Sequence, residues 1–156
     1  MTAAIAFMVG DCLNVPFTDG QFDAIIMYDV LHHLVTGTKD ESNQLREAGL
    51  KELVRLLAPG GRIVLNEVCV NVAWRAKLIF AASHLISLSH ISIPAIHIHT
   101  DVVLNFFTLD ELDDAFARSG LRVIEREVHP FPGLGVRVAT FGDTTYHIHC
   151  VLERNG

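Results

Sequence analysis

His32 and His33 stand next to each other, separated by two residues from Tyr28 and Asp29, so four side chains with chemical capability lie within six residues. An imidazole with a pKa near 6.5 can take a proton from a hydroxyl or amine nucleophile, which is the work of a general base. A carboxylate or an aromatic face can attract a bound cation. Asp29 is equally suited to cap the short helix predicted for the "VLHHLV" that follows it.

Two further histidine doublets have a spacing that suits metal binding. In an extended strand, residues two apart lie on the same face, and imidazoles placed in this way can bind zinc or another transition metal. Histidine alternating with isoleucine is equally typical of a half-buried strand, so we assign no metal ligands from the sequence. The doublets are His97 and His99, followed by Asp101, and His147 and His149, followed by Cys150.

Composition excludes several classes of function. The formal net charge of -6 argues against nucleic acid as a partner, because binding a polyanion requires a basic surface. The three cysteines, Cys12, Cys69 and Cys150, are far apart and form no CxxC pair, which indicates neither a disulfide framework nor a thiolate zinc site. The first residues lack a cationic segment and a long apolar run, so we expect neither a signal peptide nor a membrane span there. These features predict a cytoplasmic protein.

The elements that must position these side chains alternate between strand and helix, as in an α/β domain. Continuous apolar runs predict strands buried on both faces. Apolar residues repeating every 3.6 positions predict a helix, which ends at "APGG". Thr108 with Glu111 forms a capping box at the start of a second helix. The predicted strands span 22–30, 62–68, 121–128 and 144–153, and the helices span 41–57 and 108–120, all within one domain of 156 residues.

Three blocks of the sequence carry a family resemblance. They are "GDCLNVPFTDGQFDAIIMYDVLHHL", "LKELVRLLAPGGRIVLNEV" and "FTLDELDDAFARSGLRVIE". In this order and spacing they resemble the second half of a class I S-adenosylmethionine-dependent methyltransferase of the small-molecule kind, similar to methyltransferase type 11. The resemblance implies a Rossmann-like fold, mostly parallel with an antiparallel last strand and helices on both faces, and S-adenosylmethionine as cofactor.

The resemblance also implies roles for individual residues. Asp11 would accept a hydrogen bond from the adenine amino group, with the backbone of Cys12 beside it, although Asp11 is equally able to cap a turn. Tyr28 and Asp29 would lie near the sulfonium of the cofactor. His32 and His33 would be base, pocket wall or packing residues. Glu67, at the end of the next strand, would line the same pocket or be an ordinary loop carboxylate.

The family's glycine-rich cofactor turn is missing ahead of Gly10, so we expect a methyltransferase fold that is incomplete at its N-terminus. The chain would then run from a stub of the third family strand, ending near Asp11, to the seventh strand. Because the apolar strand at 22–30 would become a sheet edge, we expect it to be covered. The candidates are the segment Ala3 to Val9 folded back, a second copy of the chain, or a missing N-terminal half.

The most apolar stretch, Leu78 to Ile98, falls in a possible substrate-cap insert at about 70–105. Its histidines, serines and Pro94 argue against a membrane span. As a helix it would place Ser83, Ser87 and His90 on one stripe. The resemblance therefore implies methyl transfer to a small, apolar acceptor, impaired where the glycine-rich turn is absent. The alternative is a non-catalytic remnant or subunit that acts through chain pairing.

Overall fold

The computed structural model describes residues 5–89, 103–130 and 145–156. It contains all four predicted strands and both predicted helices, together with one more helix in the apolar stretch and a 3₁₀ turn at Leu31–His33. The strands are β1 (Phe22–Tyr28), β2 (Leu57–Val70), β3 (Leu121–Pro130) and β4 (Thr145–Arg154). The helices are α1 (Lys39–Leu56), α2 (Ala73–Ser89) and α3 (Leu109–Arg118).

The four strands form one sheet in the order β1-β2-β4-β3. β1 runs parallel to β2, and β4 runs antiparallel to both of its neighbours. Three strands therefore point one way and the last strand points the other way. This arrangement confirms the predicted fold class, a Rossmann-like methyltransferase sheet whose last strand is antiparallel.

Helices cover both faces of β2, as expected for a strand that is buried on two sides. Ile63, Leu65 and Cys69 pack with α1 and α3 in the main core. Val68 and Val70, which alternate with those residues, pack with Ala76 and Ile79 of α2 in a second cluster. The apolar run predicted from the sequence is thus buried by different helices on its two sides.

The connection between α1 and β2 is tighter than "APGG" suggested. The structure assigns Leu57–Val70 to one strand, so β2 begins immediately after α1 ends at Leu56. Its pairing with β1 is irregular here, since Phe22 pairs with Leu57 while Ala24 pairs with Arg62. A Cβ on Gly61 would lie 2.9 Å from the carbonyl oxygen of Asp23, so this close approach of two backbones requires glycine.

Helix α3 has the ends that the sequence predicts. The Thr108 side chain accepts from the backbone N–H of Glu111, and the Glu111 side chain accepts from the backbone N–H of Thr108, which completes the capping box. Gly120 has a φ of 77°, the left-handed conformation common just after a helix. These features confirm the start and the stop predicted for this helix.

The N-terminal segment differs from expectation. Residues 5–10 form no strand, and Phe7 and Val9 are fully exposed. The prediction that Ala3 to Val9 folds back beside β1 is wrong for residues 5–9, because their backbones find no strand to pair with. Ala3 and Ala4 lie outside the described residues. Among the described strands only β2 pairs with β1, so coverage of the other edge by a second chain stays a prediction.

Helix α2 occupies the first part of the proposed insert at about 70–105. Its Ser83 and Ser87 hydroxyls donate to carbonyls of the same helix, and Ser83 also accepts from the N–H of Leu104. His90 and Pro94 lie outside the described residues, and the insert's role as a substrate cap stays a prediction. None of the helices in the described part has the length and apolar composition that crossing a bilayer requires.

Candidate functional site

The candidate site lies where β1 and β2 end side by side. Tyr28, the last residue of β1, is paired with Asn66 of β2. Because parallel strands bring their carboxyl ends to one edge, the residues after Tyr28 meet those at the end of β2. The ligand-type atoms of Asp29, His32 and Glu67 all lie within 4.8 Å of one another.

Glu67 is the residue of this cluster that is held in place by buried hydrogen bonds. It is fully buried, and its two carboxylate oxygens accept from the backbone N–H groups of Leu31 and Val68, each at 2.9 Å. The Nδ1 atom of His32 also contacts Oε1 of Glu67. Since a carboxylate only accepts hydrogen bonds, this contact requires the proton of the His32 ring on Nδ1. Glu67 thereby sets both the orientation and the tautomer of His32.

The two adjacent histidines have different surroundings. His32 is buried, with the Phe106 ring 5.4 Å from its own and the Asn105 N–H donating to its carbonyl. His33 is exposed, and its ring lies 4.1 Å from that of His32. Partial desolvation, and after it the neighbouring His32, lowers the pKa of His33. His33 is therefore neutral at pH 7 and able to accept a proton.

Asp29 does not cap a helix. The 3₁₀ turn begins after Val30, which makes no side-chain cap, while Asp29 itself adopts a φ of 52°. Its N–H donates to the carbonyl of Asn66, and its Oδ1 lies 3.1 Å from Nε2 of His147. The Asp29 carboxylate therefore points across the sheet to β4, and the helix-cap alternative is wrong.

Tyr28 and the β4 histidines line the other face of the sheet beside Asp29. Tyr28 is exposed, with its ring 6.0 Å from that of His147. His149 lies on the same face as His147, as the alternation predicted, and its Nδ1 is 3.2 Å from the Asn66 amide nitrogen. The other doublet, His97 and His99 with Asp101, lies outside the described residues.

Asp11 and Cys12 lie in a separate turn. The Asp11 carboxylate accepts from the N–H of Leu13 at 2.9 Å, so it caps this turn, which was the alternative to a cofactor role. Burial, together with the nearby Asp11 charge, raises the pKa of the Cys12 thiol. Both residues line a shallow pocket of about 180 Å³ with Phe17.

Helix α1 holds this turn-containing segment in position. The Arg55 guanidinium donates to the carbonyls of Val15 and Phe17, and the Glu52 carboxylate accepts from the N–H of Val15. Glu52 also pairs with Arg55, and this hydrogen bond lowers the pKa of the Glu52 carboxyl. The segment that carries Asp11 is therefore tied to the body of the domain through two charged side chains.

Sequence reasoning missed how these residues pair. It did not predict the contacts between Asp29 and His147 or between Glu67 and His32, nor the position of Asn66 between Asp29 and His149. A signal was present, because Asp29 and Glu67 each fall at the end of a predicted strand and His147 lies near the start of another. The order in which the strands lie beside each other decides which ends meet.

Strand order, the antiparallel last strand and polar side chains at the strand ends define a Rossmann-like α/β fold of the methyltransferase type. Residues 2–65 match the family described as Methyltransferase domain. A S-adenosylmethionine-dependent methyltransferase from Methanosarcina mazei has a similar solved structure, with a TM-score of 0.65 and 19% identity, covering 96% of this chain and 66% of that one. The family match over residues 2–65 and the shared fold support a class I S-adenosylmethionine-dependent methyltransferase.

Two curated relatives resemble a limited part of the chain. "Probable tRNA methyltransferase 9B" of Mus musculus is 45% identical over 58 residues, which is 37% of this chain and 12% of that protein. "Norajmaline N-methyltransferase" of Rauvolfia serpentina is 34% identical over 61 residues, 39% of this chain and 18% of that protein. This chain thus spans less than a fifth of either relative. S-adenosylmethionine is, by resemblance, the cofactor of this family.

Proposed function

We propose that this chain takes part in the transfer of a methyl group from S-adenosylmethionine to a small, apolar acceptor. The observation that carries the proposal is the convergence of Asp29, His32 and Glu67 at the carboxyl ends of two parallel strands. In open α/β sheets, ligands bind in the crevice outside these ends. The absence of a nucleic-acid partner and the cytoplasmic location stay predictions from composition.

In this proposal the cofactor lies between the Asp11 turn and the end of β1. Asp11 keeps one oxygen for the adenine amino group while the other holds the turn, and the backbone of Cys12 lies alongside. Tyr28 and Asp29 face the sulfonium, which an aromatic ring and a carboxylate both attract. Asp29 has a carboxylate that is only partly engaged, since its one described side-chain contact is with His147.

His32 and His33 serve on the acceptor side. Methyl transfer is an in-line displacement that depends mainly on positioning, and a base is needed when the nucleophile carries a proton. Glu67 supports His32 in that role, because a proton held on Nδ1 leaves the lone pair on Nε2. The lowered pKa of His33 favours the neutral form of that second ring. Phe106, beside His32, supplies an apolar wall for the acceptor.

The test is calorimetry with S-adenosylmethionine and S-adenosylhomocysteine on the purified chain. We expect micromolar binding, weakened about 10-fold or more by Asp29→Ala. Asp19→Ala is the matched control, since Asp19 is an exposed carboxylate that pairs with Arg55 away from the strand ends. Absence of heat with either ligand, or equal effects of the two substitutions, contradicts the proposal. A parallel assay with methyl-labelled cofactor and apolar hydroxyl or amine acceptors tests the transfer itself.

A second candidate function is pairing with another chain through the edge of β1 that none of the described strands covers. Ile26 and Tyr28 on this strand are 76% and 61% exposed, and an apolar edge strand readily pairs with another backbone. Light scattering over a concentration series tests this candidate. Ile26→Lys should abolish any dimer, whereas Ile124→Lys, on the opposite edge strand β3, should leave it intact. A monomer at all concentrations rules out pairing between copies of this chain.

A further inference from the structure

Three potential metal ligands converge at the ends of two strands. Asp29 follows β1, His32 lies in the 3₁₀ turn, and Glu67 is in β2. Their ligand-type atoms lie within 4.8 Å of one another, and Asp29 is held from β4 by His147, whose Nε2 is 3.1 Å from Oδ1 of Asp29. We propose that Asp29, His32 and Glu67 form a binding site for a divalent transition-metal ion of the zinc class.

The spacing fits such an ion. In a tetrahedral zinc site with bonds of about 2.0–2.1 Å, neighbouring ligand atoms lie roughly 3.3 Å apart. The ligand atoms of Asp29, His32 and Glu67 lie within 4.8 Å of one another, so a small inward movement would bring them to that separation. The contact between His32 and Glu67 is shorter, and a small opening of this pair would admit the ion. His147, on the other face of the sheet, holds Asp29 from outside the site.

The charges and donor types select the class of ion. In the described part of the chain, the ion pairs of Asp29 and Glu67 are made with histidines and not with lysine or arginine. In that part of the chain, neither carboxylate is therefore in contact with a lysine or arginine. A set of one imidazole and two carboxylates suits zinc and its neighbours in the transition series, whereas magnesium and calcium favour all-oxygen sets.

The surroundings of the ligands are already fixed. Backbone N–H groups of Leu31 and Val68 hold the Glu67 carboxylate, and the Asp29 N–H is held by Asn66. Such outer contacts orient ligands and reduce the reorganisation that binding requires. Glu67 is fully buried and His32 nearly so, which distinguishes this cluster from the exposed acidic groups common on protein surfaces.

The inference goes beyond methyl transfer and does not rest on it. An ion bound here takes the place of the proton between His32 and Glu67, so a metal-loaded site excludes His32 as the base. The functional proposal is tested with S-adenosylhomocysteine on metal-free protein, and the metal proposal with metal alone. Either can therefore fail without the other.

The experiment is a titration of metal-free protein with Co²⁺, followed by visible absorption, and displacement by Zn²⁺. We expect saturable binding of one ion per chain, with absorption typical of low coordination number. Asp29→Ala, which removes a ligand, and His147→Ala, which removes the contact that holds Asp29, should each weaken binding about 10-fold or more. His129→Ala is the control, since His129 is exposed on β3 opposite His147 and pairs with Glu127. It should change affinity less than twofold.

Two results would overturn the proposal. One is the absence of saturable binding by the unmodified chain. The other is an equal loss in His129→Ala and His147→Ala, which would assign binding to the surface histidines of β3 and β4. Circular dichroism melts of each variant distinguish lost ligands from lost folding. Asp29→Ala gives a second, independent variant should His147→Ala unfold.

Discussion

Replacing Glu67 by alanine should destabilise the protein strongly, because this carboxylate satisfies several buried donors at once. It accepts from the N–H groups of Leu31 and Val68 at 2.9 Å each, and it contacts Nδ1 of His32. Glu67 itself is fully buried. After truncation, the two backbone donors keep their positions but lose their acceptor.

The expected magnitude follows from these two donors. A buried donor left unsatisfied costs about 1–3 kcal/mol, so the pair amounts to about 2–6 kcal/mol of unfolding free energy. Total stabilities of single domains are about 5–15 kcal/mol, so the loss is a large fraction of the whole. Glu67→Gln keeps the volume but replaces one acceptor oxygen with a donor, and we expect about 1–3 kcal/mol of destabilisation.

Urea unfolding followed by circular dichroism measures these differences. Glu125→Ala, which truncates an exposed glutamate on β3, is the control and should lie within about 0.5 kcal/mol of the unmodified protein. A loss below about 1 kcal/mol for Glu67→Ala would refute the reasoning. So small a loss would mean that the buried N–H groups at the strand ends do not depend on Glu67 as their acceptor.

Four further predictions follow from individual contacts. Gly61→Ala should cost about 1–3 kcal/mol of unfolding free energy, because its Cβ would meet the Asp23 carbonyl oxygen at 2.9 Å. Gly37→Ala is the control and should be neutral or slightly stabilising, since a Cβ there meets nothing within 4 Å. Equal unfolding midpoints of the two variants would contradict this. Thr108→Ala should cost about 1 kcal/mol by removing the capping box, and Thr108→Ser should restore most of it. His33 should titrate by NMR below about 6.5, and because the native state binds protons less readily than the unfolded state, this residue makes the free energy of unfolding fall as pH drops through that range. His32→Gln should raise the titration midpoint of His33, and an unmoved midpoint would exclude the neighbouring ring as a cause of the lowered pKa. Burial raises the pKa of the Cys69 and Cys150 thiols, so at pH 8 a thiol reagent should modify half-buried Cys12 first and the other two only on unfolding; equal rates would contradict their burial.

The sheet was largely predictable because its signals are local. Apolar runs at 22–30 and 62–68 predict strands, and the capping box at Thr108 with Gly120 marks both ends of α3. The predicted burial on both faces is correct for β2 and wrong for β1, whose Ile26 and Tyr28 are exposed. The antiparallel direction of the last strand followed from the family resemblance and is confirmed by the pairing of β4 with β2 and β3. Periodicity alone does not carry that information.

The errors arise where a segment depends on a partner. The stub before Gly10 has the composition of a strand, yet a strand forms only when another backbone accepts its hydrogen bonds, and residues 5–10 have none. β2 begins earlier than the predicted start at residue 62. Gly61 permits a close approach of two backbones, and the periodicity of the sequence does not indicate such an approach.

The site was predictable residue by residue but not in its pairing. Asp29, His32 and Glu67 were singled out by type and by their places at strand ends. The contact of Asp29 with His147 joins residues 118 positions apart, and only the antiparallel addition of β4 beside β2 creates it. The role of Asp29 therefore required the three-dimensional structure.

The most direct test of the proposed cofactor site at the end of β1 is an NMR titration of ¹⁵N-labelled protein with S-adenosylhomocysteine. We expect the largest amide shifts at Asp11, Cys12 and the residues from Tyr28 to His33, with smaller changes near Glu67. Unchanged spectra at millimolar ligand would contradict it. So would shifts confined to the opposite end of the sheet, around Gly20, Pro59 and Arg154.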